Sequence, residues 1–120
     1  MDESRKKLYL ECRNRLLTQK QNILNGLQSL NSALSNEIVG DEGDMAQALE
    51  NQHTSMAQRE KNINQLKEID AALGRIESGT YGVCEETEEP IEKDRLLALP
   101  WTRLSLVGAE IRERVRKRFA

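Results

Sequence analysis

The chain has 120 residues, of which 38% are apolar, 32% charged and only 3% aromatic. That length allows one domain, and that composition excludes a large globular core while suiting long, surface-rich helices. The formal charge of -2 argues against a dedicated nucleic-acid binder. No apolar run is long enough to span a membrane or to serve as a signal peptide, so a soluble, cytoplasmic protein is expected.

The first predicted element runs from Ser4 to Val39. Apolar side chains at Tyr9, Cys12, Leu16, Ile23, Leu27, Leu30 and Leu34 recur at steps of mostly three, four or seven, and Leu10, Leu17 and Leu24 widen that stripe. This is the periodicity of a helix with one apolar seam, and a single Gly26 inside it costs only about 1 kcal/mol. The second element runs from Met45 to about Ser78, with Met45, Leu49, Met56, Ile63, Leu66 and Leu73 as its seam and Ile69 and Ile76 widening it. Gln52, Arg59 and Asp70 interrupt the strict heptad. Each run is about 35 residues, or roughly 50 Å of helix. Neither can bury its seam alone, and the short connector folds them back as an antiparallel coiled-coil hairpin over residues 1–78. Such a hairpin makes a poor enzyme pocket and a good probe, because its tip stands far from its base.

The tip, residues 40–46 within Gly-Asp-Glu-Gly-Asp-Met-Ala-Gln, concentrates acid. Gly40 suits a helix C-cap. Asp44 suits the N-cap of the second helix, with Gln47 three residues on as in a capping box. Asp41 and Glu42 have no structural duty. The spacing lacks the ligand series of a calcium loop.

Residues 79–120 differ in kind, since Gly79, Gly82, Pro90 and Pro100 break regular structure. Tyr81, Val83, Ile91, Leu96, Leu97, Trp101 and Leu104 are expected to form a small core. A final helix packs on it through Leu106, Ile111, Val115 and Phe119, with a polar face of Arg112, Arg114, Arg116, Lys117 and Arg118. A module this small usually needs a metal or disulfide staple. Tyr81-Gly82-Val83-Cys84 opens like a zinc knuckle, yet the residue three after Cys84 is Thr87. Twenty-one residues after Cys84 stands Ser105, and three later Gly108. The lone His53 lies inside the second helix. A tetrahedral Cys/His site cannot be assembled, and Glu85, Glu86, Glu88 and Glu89 would hold a stray metal only weakly. No His, Cys and carboxylate constellation supports an enzyme.

These motifs carry a resemblance. Tyr81, Gly82 and Cys84, followed by Pro90, Ile91, Arg95, Leu96, Ala98, Pro100, Thr102, Arg103 and Leu104, resemble the finger of the DksA/TraR family of RNA polymerase-binding regulators, and the resemblance covers nearly the whole chain. It implies a coiled-coil hairpin followed by a zinc-finger-like module and a C-terminal helix. Here only the first of four ligand positions, Cys84, keeps its cysteine. Thr87, Ser105 and Gly108 stand at the others, so the resemblance implies a finger that has lost its zinc, stabilised by Trp101 and by hydrogen bonds from Thr87 and Ser105. The family's Asp-x-x-Asp-x-Ala tip motif is complete as Asp41, Asp44 and Ala46. That implies a tip inserted through the polymerase secondary channel, modulating open-complex stability, as part of stringent-response regulation. Glu68, Leu99 and Ala109 fall where the family's main basic contacts to ppGpp stand, which implies weak or absent ppGpp synergy, with Lys61, Arg95 or the terminal basic cluster as substitutes. The resemblance implies no sequence-specific DNA contact, and the chain is expected to be a monomer. The competing reading is a structural or adaptor coiled coil with a decayed finger and another protein partner.

Overall fold

The computed structural model describes the backbone of residues 3–35 and 42–119, and the side chains of 3–30 and 45–119. Among the described residues the fold is four helices and no sheet. The helices are α1 (Glu3–Ser35), α2 (Glu42–Ser78), α3 (Lys93–Ala98) and α4 (Leu106–Phe119). The mainly α class and the two long helices agree with the periodicity. None of the helices is long and apolar enough to cross a membrane among the described residues.

The chain divides into two compact units. One gathers residues 1–18 and 68–120, so the open ends of both long helices belong with the module that follows them. The other is the remaining helix pair, residues 19–67. Within each unit the pair is antiparallel. In the first, Lys6, Tyr9 and Leu10 of α1 line one hollow with Ile76 of α2. In the second, the Gly26 backbone faces the Asn62 side chain.

The core of the first unit is Leu8, Cys12 and Leu16 from α1, Ile69 and Ala72 from α2, and Tyr81, Cys84, Ile91, Leu96 and Pro100 from the module. The apolar stripe of α1 is therefore confirmed at Cys12 and Leu16. Leu10, Leu17 and Leu24 lie outside it, at 61%, 40% and 41% exposure. On α2 the expected seam is wrong at its start, because Met45, Leu49 and Met56 are all exposed. The half-buried positions there are Ala48, Gln52, Ser55 and Asn62, which continue backwards the steps of three and four set by Ile76, Leu73, Ile69 and Leu66. The inward face is polar where the apolar side chains point to water.

One turn and one side chain fix the module on α2. Thr80 N–H donates to Arg75 O over 3.0 Å, and Gly79 takes φ of +82°. This is the left-handed C-cap that glycine adopts without a Cβ penalty. Arg75 then donates from Nη2 to the carbonyls of Trp101 and Thr102 at 3.0 and 3.4 Å.

The candidate site: tip and metal-free knuckle

The hairpin tip is only partly within the described residues. Asp41 and Gly40 lie outside them. Asp44 is the third residue of α2, which begins at Glu42, so it sits inside the first turn and is not the N-cap that the capping-box spacing suggested. Ala46 follows on the helix and is exposed.

The knuckle is built from a backbone turn. Cys84 N–H donates to Glu89 O and Ile91 N–H to Gly82 O, both at 2.8 Å, on either side of an antiparallel bridge between Val83 and Pro90. Glu88, at φ of +60°, lets the chain reverse, and its N–H returns to Cys84 O at 2.9 Å. At the far side, Ser105 is the N-cap of α4. Its Oγ accepts the Gly108 N–H at 3.0 Å, and its carbonyl accepts the Ala109 N–H at 2.9 Å. The Glu92 carboxylate accepts the next free amide, that of Leu106, at 3.1 Å.

The four positions that sequence reasoning grouped do converge. Thr87 N–H donates to Cys84 Sγ at 3.5 Å. A Cβ placed on Gly108 would run into Cys84 Sγ and would stand 3.3 Å from Ser105 Oγ. The residues do not fit zinc. One thiol, two hydroxyls and a residue without a side chain supply a single soft donor where a structural site takes four Cys or His ligands. The thiol fills the space instead, and Gly108 is the residue that leaves room for it. Among the described residues no group of three or more His, Cys, Asp or Glu could hold a metal ion.

Cys84 is 1% exposed. Burial alone would raise its thiol, but hydrogen bonds from the side chains and amides of Ser105 and Thr87 outweigh it and bring the thiol down to about 6. The folded pKa thus lies below the unfolded one, so the thiolate stabilises fully above about pH 9 and the gain is lost as pH falls through about 6. At one pH unit above the folded pKa the contribution is about 1 kcal/mol. Thiolate absorbance in the folded chain is expected to titrate with a midpoint near 6. Stability is expected to rise between pH 6 and 8, and Cys84→Ala should flatten that rise. A midpoint at the usual thiol value would refute the assignment. Cys12 behaves oppositely: burial pushes its thiol up, and its Sγ donates to Leu96 O at 3.6 Å.

Sequence reasoning missed an ionic clasp. Glu85 pairs with Arg103 at 3.2 Å and with Arg112 at 3.5 Å, and Glu86 pairs with Arg112 at 3.0 Å. Glu85 N–H also donates to Arg103 O at 2.9 Å. The acids lie between the first two former ligand positions, and the arginines flank the last two. Single exposed pairs are worth little, but a shared network crossing the same gap a metal would cross stitches the two halves. A run of glutamates reads as solvated surface in sequence, and nothing in the spacing of Glu85 and Glu86 or of Arg103 and Arg112 announces the pairing. Arg103 reaches further, to Glu68 at 3.4 Å. Glu68, at one expected nucleotide-contact position, is therefore an acid engaged with arginine. Arg95 donates from Nε to Leu104 O at 2.7 Å. Trp101 is half-buried rather than central, and of the expected apolar set on α4 only Ile111 is half-buried, while Leu106, Val115 and Phe119 are exposed; α4 meets the knuckle at the buried Gly108.

The family model for the prokaryotic dksA/traR C4-type zinc finger matches residues 79–114. The RNA polymerase-binding transcription factor DksA of Caulobacter vibrioides is 35% identical over 104 residues, covering 85% of this chain and 73% of that protein. An uncharacterized protein of Aquifex aeolicus is 35% identical over 116 residues, covering 91% of this chain and 79% of the relative. The solved structure of transcription factor DksA2 from Pseudomonas aeruginosa superposes with a TM-score of 0.83 at 34% identity, over 98% of this chain and 89% of that one. Full-length similarity in sequence and in fold, around a knuckle with one of its four cysteines left, makes this chain a member of the DksA/TraR family.

Proposed function

We propose that this chain is a transcription regulator, not an enzyme, that binds RNA polymerase directly and modulates open-complex stability and initiation. The observation that carries the reading is the likeness of 98% of the chain to a solved DksA2 transcription factor, joined to 35% identity with an RNA polymerase-binding relative. In this reading the hairpin of residues 1–78 is the arm, the acidic tip at 40–46 enters the secondary channel, and residues 79–120 form the base. Asp41 and Asp44 act on the polymerase by charge, with Ala46 allowing close approach. The chain works as a cytoplasmic monomer without sequence-specific DNA contacts. Glu68, an acid paired with Arg103 where the family's contact is basic, supports weak ppGpp synergy, because it offers no cation to a phosphate.

In a reconstituted transcription assay, Asp41→Asn with Asp44→Asn is expected to abolish the effect on a sensitive promoter while affinity for core polymerase changes less than about threefold. Affinity that falls in step with activity would remove the division between binding and action. Failure of the folded wild-type chain to bind polymerase at all would remove the reading.

A further inference from the structure

The outer face of α1 carries a feature that neither the seam nor the tip uses. Lys6, Tyr9, Leu10, Arg13 and Ile76 line an open, mainly apolar hollow of about 330 Å³ in the first compact unit. Leu10 is 61% exposed beside it, and Leu17, one heptad further along the same helix, is 40% exposed. Lys6 and Arg13 repeat at that interval too, each four residues before a leucine. The floor of the hollow is built rather than incidental. The Tyr9 ring stands edge-on to Tyr81 at 5.1 Å, with the Arg5 guanidinium 5.2 Å from its centroid. A Cβ on Gly82 would collide with that ring, so tyrosine and glycine fit closely.

A leucine and a basic residue repeating together every seven positions is the pattern by which one helix receives another. The leucines supply the seam, and the flanking charge chooses the partner. No carboxylate lines the hollow. Lys6 meets Glu3 only at 3.8 Å, and Arg13 makes no ion pair among the described residues. A second copy docking symmetrically through this same face would bring like charges together. We infer that the Lys6–Leu10–Arg13–Leu17 face of α1 docks an amphipathic, acidic helix of a partner protein, which inserts an apolar side chain against Tyr9 and Ile76 and presents carboxylates to Lys6 and Arg13. The tip takes no part in this contact, so the inference stands apart from the proposed action on polymerase.

The probe is a labelled synthetic helix of about three heptads, with leucine at the seam and glutamate on both flanks, and a twin carrying lysine in place of glutamate. By fluorescence anisotropy against the full chain, the glutamate peptide is expected to bind at least about tenfold tighter than the lysine twin. Leu10→Ala with Leu17→Ala should weaken it by about tenfold or more, and Lys6→Glu with Arg13→Glu should reverse the preference between the peptides. These side chains are exposed, and circular dichroism of each variant verifies that it is folded. Equal binding of both peptides, binding of neither, or indifference to the leucine substitutions would overturn the inference. So would self-association of the wild-type chain, seen by sedimentation and lost in the Leu10→Ala, Leu17→Ala variant, since the occupant would then be a second copy.

Discussion

A chain carrying Thr87→Cys, Ser105→Cys and Gly108→Cys together is expected to bind one zinc ion and to depend on it for the folding of residues 79–119. The backbone already brings these positions around Cys84, so four thiolates could be offered to one metal. In small fingers the metal contributes about 10–16 kcal/mol of apparent binding free energy at neutral pH, far above any single contact in this module. Without zinc the variant should be much less stable than the wild type. A Cβ at position 108 collides with Cys84 Sγ in the metal-free packing, and the Ser105 N-cap is weakened, by about 1 kcal/mol. Zinc stoichiometry by mass spectrometry and melting with and without chelator test this. The variant should lose its module transition in chelator, whereas the wild-type melt should not move. A triple variant that melts identically in both conditions would show that the positions do not share one coordination sphere.

Gly82→Ala is expected to be the most damaging single substitution in the module. Gly82 has φ of +83°, where any other L-residue is strained by about 1–2 kcal/mol, and the new methyl would overlap the Tyr9 ring, adding about 1–3 kcal/mol. The two contributions can be separated. Tyr9→Ala in the same chain removes the overlap but not the backbone strain, so a double-mutant cycle on denaturation free energies should give a coupling of about 1–3 kcal/mol while the double variant stays below Tyr9→Ala alone. Additive losses would mean that the ring moves aside freely. Gly82 O also accepts from Ile91 N–H and from Arg5 Nη2. The damage should therefore spread to the knuckle turn and to the start of α1.

Much of this was readable from the residues. The two long periodic runs predicted two long helices, found as α1 and α2, and the Tyr-Gly-x-Cys stretch with its downstream Arg-Leu and Pro-Trp-Thr-Arg-Leu segment marked the finger. The misread part was the first half of α2. Methionine and leucine at 45, 49 and 56 drew the seam to themselves, but helix packing follows geometry, and the phase set by Ile69 and Leu73 runs back through Asn62, Ser55 and Gln52. Extending that phase from the strongly apolar end would have found it. The clasp of Glu85 and Glu86 with Arg103 and Arg112 was hidden for another reason. It joins residues distant in sequence, and only the turn at Glu88 and the N-cap at Ser105 bring them together. The same holds for the α4 contact, where the decisive residue, Gly108, has no side chain to announce it.

The polar inward face between Gln52 and Asn62 sets how order is distributed along the molecule. Apolar burial supplies most of the free energy that fastens helices together, and here it is concentrated at Leu8, Cys12, Leu16, Ile69 and Ala72. In the unit of residues 19–67 no described side chain is fully buried: Ile23, Leu27, Ile63 and Leu66 are only half-buried and share the face with Gln52, Ser55 and Asn62, and Gln19 Oε1 is buried without a partner. Such layers specify register at small gain in stability. Amide protons of residues 19–30 and 48–62 are therefore those that local opening frees first, while those of the module and its two helix ends are released only when the whole domain unfolds. Residues 19–67 can fray and re-form without loosening the core of the first unit.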